Sequence, residues 1–251
     1  MKPLGSSRKQ LSCDRITLIG EQHIEPDNRM AYLLDREIYQ ETEDIALGKI
    51  KKTPLLSELS DWFTSMYSVK ILNIQFDELK GSNTNRYGLH VIIQNTEDYQ
   101  KMYDRLGDRP NEEYQRQIGL EFKRIALRYN FVDKTKLDDL FVIYNDFSRE
   151  AKTMANRRAA KEVRTYIKST HVSVWEVETQ FWGSVVFYYL DYDVINNENT
   201  GTSKSITNDY YAILKNYDEL NYFTTDNIRL NFDSKENLDK NYEGNLFYYS
   251  R

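Results

Sequence analysis

One cysteine and three histidines in 251 residues leave the chain short of the side chains that most often do metal, nucleophilic and acid–base work near neutral pH. The single thiol, Cys13, can form no internal disulfide, which excludes a disulfide-stapled secreted scaffold and points to a reducing compartment. Nor can it anchor a Cys-rich zinc site. Glycine (10) and proline (4) are scarce, so little of the chain has linker composition. No apolar run approaches the ~20 residues that a membrane-spanning helix needs, and the mean hydropathy is −0.72. The polar stretch over residues 1–10 lacks the apolar core of about 7 to 15 residues that a secretory signal requires. A cytoplasmic protein without a membrane partner is expected. Lys and Arg (34) are outnumbered by Asp and Glu (39), and the net charge of −5 opposes nucleic-acid binding by the whole surface. A Gly-rich phosphate loop, a Gly-x-Ser-x-Gly elbow, a His-Glu-x-x-His pair and the kinase signatures are all missing. Tyr, Asp and Glu are left as the residues that could carry catalysis, and no cofactor is indicated.

What the chain has in quantity is aromatic rings, 14% of residues, with 20 Tyr and 11 Phe. Tyr joins a large apolar body to a polar tip and is enriched at interfaces. A Tyr-rich core in a chain from an AT-rich genome explains the surplus equally well. The charge is also uneven: residues 151–170 carry six Lys and Arg against one Glu, whereas residues 186–251 carry eleven acids against six bases.

The order of patterns is that of an α+β protein, in which amino-terminal helices precede antiparallel β-hairpins alternating with helices. Residues 1–14 read as an arm, residues 15–146 as a helical segment with a first hairpin–helix unit, and residues 147–251 as a second such unit with terminal strands. The alternative is one continuous domain. Helices are expected from residue 27 towards Gly48, from Thr53-Pro54 with Leu55, Leu59, Trp62, Phe63 and Met66 on one stripe, and past Pro110 with Tyr114, Ile118, Phe122, Ile125 and Tyr129 in line. Strand patterns fall at 68–79, 86–94, 140–144, 171–179, 184–194, 228–232 and 245–249, with a helix over 148–169. Residues 196–205 read as a polar loop leading to a helix from Thr207. Thr96-Glu97-Asp98-Tyr99 and Thr207-Asn208-Asp209-Tyr210 each follow a hairpin, which suggests a duplicated ββα unit; recurrent helix capping is the simpler account.

Four features could carry chemistry. On the 148–169 helix, Arg157, Lys161, Arg164 and Lys168 recur at spacings of 4, 3 and 4. At 100° per residue they fall within about 60° of one another over roughly 16 Å, a stripe suited to phosphates or an acidic surface. A solvated outer face explains it too. If the second hairpin turns at Trp182-Gly183, then Glu176, Glu178, Asp191 and Asp193 share one sheet face and could hold Mg²⁺ or Mn²⁺. A slip of one residue would separate them. Asp239-Lys240-Asn241-Tyr242-Glu243-Gly244 resembles the first half of an EF-hand calcium loop, although Ser250 stands where that loop has its bidentate Glu; a polar turn is the alternative. Residues 16–19 followed by Gly20-Glu21-Gln22-His23 resemble the opening motif of the haem-binding and TraB-like hydrolase families, which implies functional roles for Glu21 and His23. The match covers some ten residues, and His90 and His171 sit in strand patterns where packing accounts for them. Taken together, these features favour a non-enzymatic protein that binds another protein, such as a bacterial or phage immunity or antitoxin protein. The rivals are a carboxylate-cluster metal enzyme, hydrolase or nuclease, and a nucleic-acid binder using the basic helix.

Overall fold

The computed structural model describes residues 34–79, 86–104, 106–107, 109–138, 140–180 and 183–250, which pack as one compact unit. The basic arm, Cys13 and the Glu21/His23 motif lie outside the described residues. Two helices lead, α1 (Arg36–Ala46) and α2 (Pro54–Tyr67). The second starts where its sequence indicates: the Thr53 hydroxyl accepts the Leu56 N–H at 3.2 Å, and Pro54 occupies a first-turn position whose N–H needs no partner.

The hairpin β1 (Ile71–Glu78) and β2 (Tyr87–Ile93) follows, then α3 (Thr96–Lys101), α4 (Glu112–Arg128) and a 3₁₀ turn, Lys134–Leu137. Strand β3 (Leu140–Asp146) returns beside β2 and runs parallel to it. The long helix α5 (Phe147–Thr170) leads to a second hairpin, β4 (Val174–Gln180) and β5 (Gly183–Tyr188). Helices α6 (Asp191–Asn199) and α7 (Thr202–Lys215) precede β6 (Leu230–Ser234), parallel to β5, and α8 (Lys235–Tyr242) and α9 (Leu246–Tyr249) close the described chain.

The fold is α+β, and it repeats one arrangement twice: helix, antiparallel hairpin, two helices, a parallel third strand, helix. Each described sheet has three strands, in the orders β1-β2-β3 and β4-β5-β6. The repetition reaches the register. Both first strands carry an irregularity one residue in, at Leu72 and at Trp175. Ile93 pairs with Asp146 and Tyr188 with Ser234, and both Asp146 and Ser234 cap the helix that follows. Helix α5 belongs to both copies, ending the first and opening the second.

Each sheet is covered on both faces. Leu89, Val91 and Ile93 point towards α2 and α4, where Leu59, Phe63, Ile118, Phe122 and Ile125 are fully buried. Burial of each such side chain contributes about 1.5–3 kcal/mol. Ile92 points the other way, onto Tyr39, Phe147 and Ala151. In the second sheet Val186 and Tyr188 meet Ala155, Ala159, Val163 and Ile167 of α5 together with α7, while Val185 and Phe187 meet Leu238 and Tyr249. The first turns of α5 therefore cover one sheet and the rest of it covers the other. Helix α1 is tied to α5 by Glu43, a buried carboxylate that accepts the Tyr39 hydroxyl at 2.9 Å and N–H groups from Arg158 Nη1 and Nη2 at 3.1 and 3.3 Å.

Several expectations are revised. Neither sheet is wholly antiparallel, because its third strand returns through helices and lies parallel to the middle one. The stretch 196–205 is not a loop, for α6 and α7 occupy most of it. Residues 245–249 form a helical turn instead of a strand, and residues 239–244 lie mostly in α8, where Asp239 pairs with Lys235 on its own helix. That placement gives the EF-hand likeness no loop to act in. Thr207 lies within α7, donating its hydroxyl to the Ser203 carbonyl, so it does not match Thr96, the first residue of α3. By register the partner of Thr96 is Asp191, since each lies three residues beyond the paired end of its middle strand.

Candidate functional site

The basic stripe and part of the acidic patch meet each other. Arg164 Nε lies 3.0 Å from Glu176 and its Nη2 3.1 Å from Glu178, while Lys168 lies 2.8 Å from Glu176. Arg164 also donates to the Val177 carbonyl at 3.2 Å, which clamps α5 onto β4. Burial opposes ionisation of Glu176, but the Lys168 hydrogen bond, the Val177 N–H and the Arg164 charge outweigh it and hold the carboxyl below the ordinary range. Arg157 and Lys161 lie further up α5 and are exposed. These pairs are solvent-facing, so Arg164→Ala is expected to cost no more than about 1 kcal/mol in urea denaturation, with the loss shrinking at high salt.

Asp191 and Asp193 do not join Glu176 and Glu178, because β5 ends at Tyr188 and both aspartates fall in the first turn of α6. There the helix dipole favours them. Asp193 accepts the Leu190 N–H at 3.2 Å, and Asp191 accepts the Ser234 hydroxyl. Among the described residues no group of three or more His, Cys, Asp and Glu side chains is placed to hold a metal ion. The two described histidines are both engaged: His90 lies 3.3 Å from the Asn145 side chain on the neighbouring strand, and His171, at the end of α5 rather than in a strand, lies 3.1 Å from Asp209. No described helix is long and apolar enough to cross a membrane.

Two features emerge at the carboxyl ends of the parallel strand pairs, the edge where open sheets with crossover helices commonly receive ligands. Beyond the second sheet, the turn into α6 leaves Tyr189, Leu190, Tyr192 and Ile195 at 50, 52, 69 and 63% exposure within seven residues. Asp191, Asp193 and Glu198 stand among them, and residues 186–203 contain neither Lys nor Arg. Beyond the first sheet, a cleft of about 700 Å³ opens beside Thr96 and Asp146, with α5 along one side and the segment leading into β6 along the other. The sequence hints at the first feature through its Tyr-rich, acidic carboxyl-terminal portion. It gives no sign of the cleft, whose walls come from residues more than a hundred positions apart.

The comparisons add no relative: no family model, curated protein or solved structure matches the chain. The class is therefore set by architecture alone, an α+β protein of two mixed sheets sharing one helix.

Proposed function

We propose that the protein is a non-enzymatic interaction protein that holds a basic partner protein against the exposed face of α6. The observation that carries this reading is the cluster of Tyr189, Leu190, Tyr192 and Ile195 in a stretch with three acids and no base of its own, of which Asp191 lies 3.6 Å from Lys240 of α8 while Asp193 and Glu198 complete the acidic rim. Exposed apolar patches with a polar rim mark interaction sites, and Tyr is among the residues that most often anchor them. Tyr192 and Ile195 are three apart on one helix, so they present side by side. The acidic rim selects for Lys and Arg on the partner and speeds encounter at low salt. An immunity or antitoxin protein neutralising a basic toxin is one form this activity takes.

The test is affinity capture from the native source with the wild type and with the double variant Tyr192→Ala, Ile195→Ala. Both side chains are largely in solvent, so the variant should melt within a degree or two of the wild type. The expected result is a basic protein retained by the wild type, lost with the variant, and released as salt is raised. Equal retention by both proteins, or retention only of acidic proteins, sinks the reading.

A further inference from the structure

The cleft at the carboxyl end of the first sheet is a second feature, independent of the α6 face. Its volume, about 700 Å³, lies within the range of roughly 300–1,000 Å³ typical of small-molecule sites. Cations reach it from two separate elements. Arg149 and Lys152 project from the first turns of α5, and Arg229 comes from the residue before β6. The place of Arg229 is set by backbone: its carbonyl accepts the Ser184 N–H at 3.1 Å, and Gly183, at φ 153°, lies so close beneath that a Cβ there would come within 2.6 Å of the same carbonyl. Burial, opposed by Asp146 and Tyr99 and reinforced by the Arg229 charge, holds the Arg149 guanidinium below its ordinary pKa. Both guanidinium-bearing residues line the cleft, and two like charges near one another repel, a repulsion that a bound anion would relieve.

Two acids line the cleft, Asp146 and Asp226, against three cations, and the first of them is already occupied. Asp146 Oδ2 accepts the Thr96 hydroxyl at 2.5 Å, and its Oδ1 accepts the Ser148 hydroxyl at 2.7 Å and the Arg149 N–H at 3.3 Å. Its charge is spent on capping α5, a 24-residue helix whose positive end faces the same region. Aromatic rings form part of the remaining wall, beside Gln100, Asn156 and Asn227. Tyr99 and Tyr103 pack with ring centroids 4.9 Å apart and share a hydroxyl hydrogen bond, and Lys152 lies 5.8 Å from the centre of the Phe223 ring.

We infer that this cleft binds a small organic phosphate with an aromatic portion, of the mononucleotide class, its phosphate between Arg149 and Arg229 and its ring beside Tyr99 and Tyr103. Guanidinium groups match phosphate oxygens in a two-pronged geometry, and Tyr faces accept a flat ring by stacking.

Isothermal titration of the full chain with ADP, pyrophosphate, adenosine and citrate tests the assignment, alongside Arg229→Glu and Arg229→Gln. ADP is expected to bind, pyrophosphate to bind more weakly, and adenosine and citrate to give no heat beyond dilution. Arg229→Glu should weaken ADP by at least tenfold and Arg229→Gln by less, with both variants keeping the wild-type circular dichroism and Tm. No binding of ADP or pyrophosphate at millimolar concentration overturns the inference. So does binding of citrate as tight as that of ADP, or ADP binding that Arg229→Glu leaves unchanged. The α6 double variant should bind ADP normally, which separates this outcome from that of the partner experiment.

Discussion

Ala159→Pro is expected to unfold both sheets together. Ala159 is buried in the middle of α5, 1% exposed, among the α5 residues that cover the second sheet. A proline there removes an N–H from the helix ladder, and its ring clashes with the carbonyl of Ala155, one turn back, at a cost of about 3 kcal/mol or more. The effect should not stay local. Phe147 and Ala151 at one end of the same helix belong to the core over the first sheet, whereas Val163 and Ile167 further along belong to the core over the second. A bend between them pulls at both. With a urea m-value of about 1–3 kcal/mol/M, the midpoint should fall by roughly 1 M or more. Trp62 packs with the first core and Trp175 with the far face of the second sheet, so variants that retain one or the other report on each unit. Coincident midpoints are expected in wild type and variant alike. Separate transitions for Trp62 and Trp175 would show that α5 does not couple the units.

The second large effect is a pH dependence lodged in Glu150, also on α5. Its side chain is buried, and burial raises its carboxyl from the usual 4.5 to about 7, against the opposing pull of the Leu34 N–H and of the Arg149 and Arg157 charges. Between those two values the folded protein keeps a proton that the unfolded chain has released. Stability from this group is therefore complete below about pH 4.5, falls as pH rises through the window, and is flat above about pH 7. A shift of this size corresponds to about 3 kcal/mol at full development. Glu150→Gln keeps an oxygen to accept the Leu34 N–H and removes the charge. The variant should match the wild type near pH 5 and exceed it by about that amount at pH 8. Taking the difference between the two proteins at each pH cancels the other carboxylates, several of which are held low and slope the opposite way. A difference that does not change between pH 5 and pH 8 would refute the assignment.

Both predictions concern α5, a helix whose existence is legible in the periodicity of the chain. Its stripe of Ala155, Ala159, Val163 and Ile167 opposite a row of cations has helical spacing over many turns. The same holds for α2, with Thr53-Pro54 at its start, and for α4, whose Ile118, Phe122 and Ile125 are buried as their spacing requires. The Tyr surplus divided between the two accounts offered for it: Tyr39, Tyr144, Tyr188 and Tyr210 lie in cores, while Tyr129, Tyr166, Tyr189 and Tyr192 are exposed.

The chain was misleading where helices are short and polar. Helices α6 and α8 have weak apolar stripes of their own and form because their ends are capped and because Leu238 and Asn197 are buried against neighbours. Such helices are marginal in isolation and depend on what they dock against. The same dependence explains the carboxylates. Period-2 spacing placed Asp191 and Asp193 on a strand, but two acids at the start of a helix gain from its dipole, and Ser234 and Leu190 are at hand to donate to them.

By itself, then, the amino-acid sequence determined the α+β class, the long helices and the two hairpins, because each follows from periodicity and caps within a few neighbouring residues. The tertiary fold alone sets β3 and β6 parallel to β2 and β5, has Arg164 and Lys168 clasp Glu176 and Glu178, and brings Arg149 and Arg229 into the lining of one cleft. Those relations join residues on different elements, and their energy exists only once the chain between them has folded to bring the partners together.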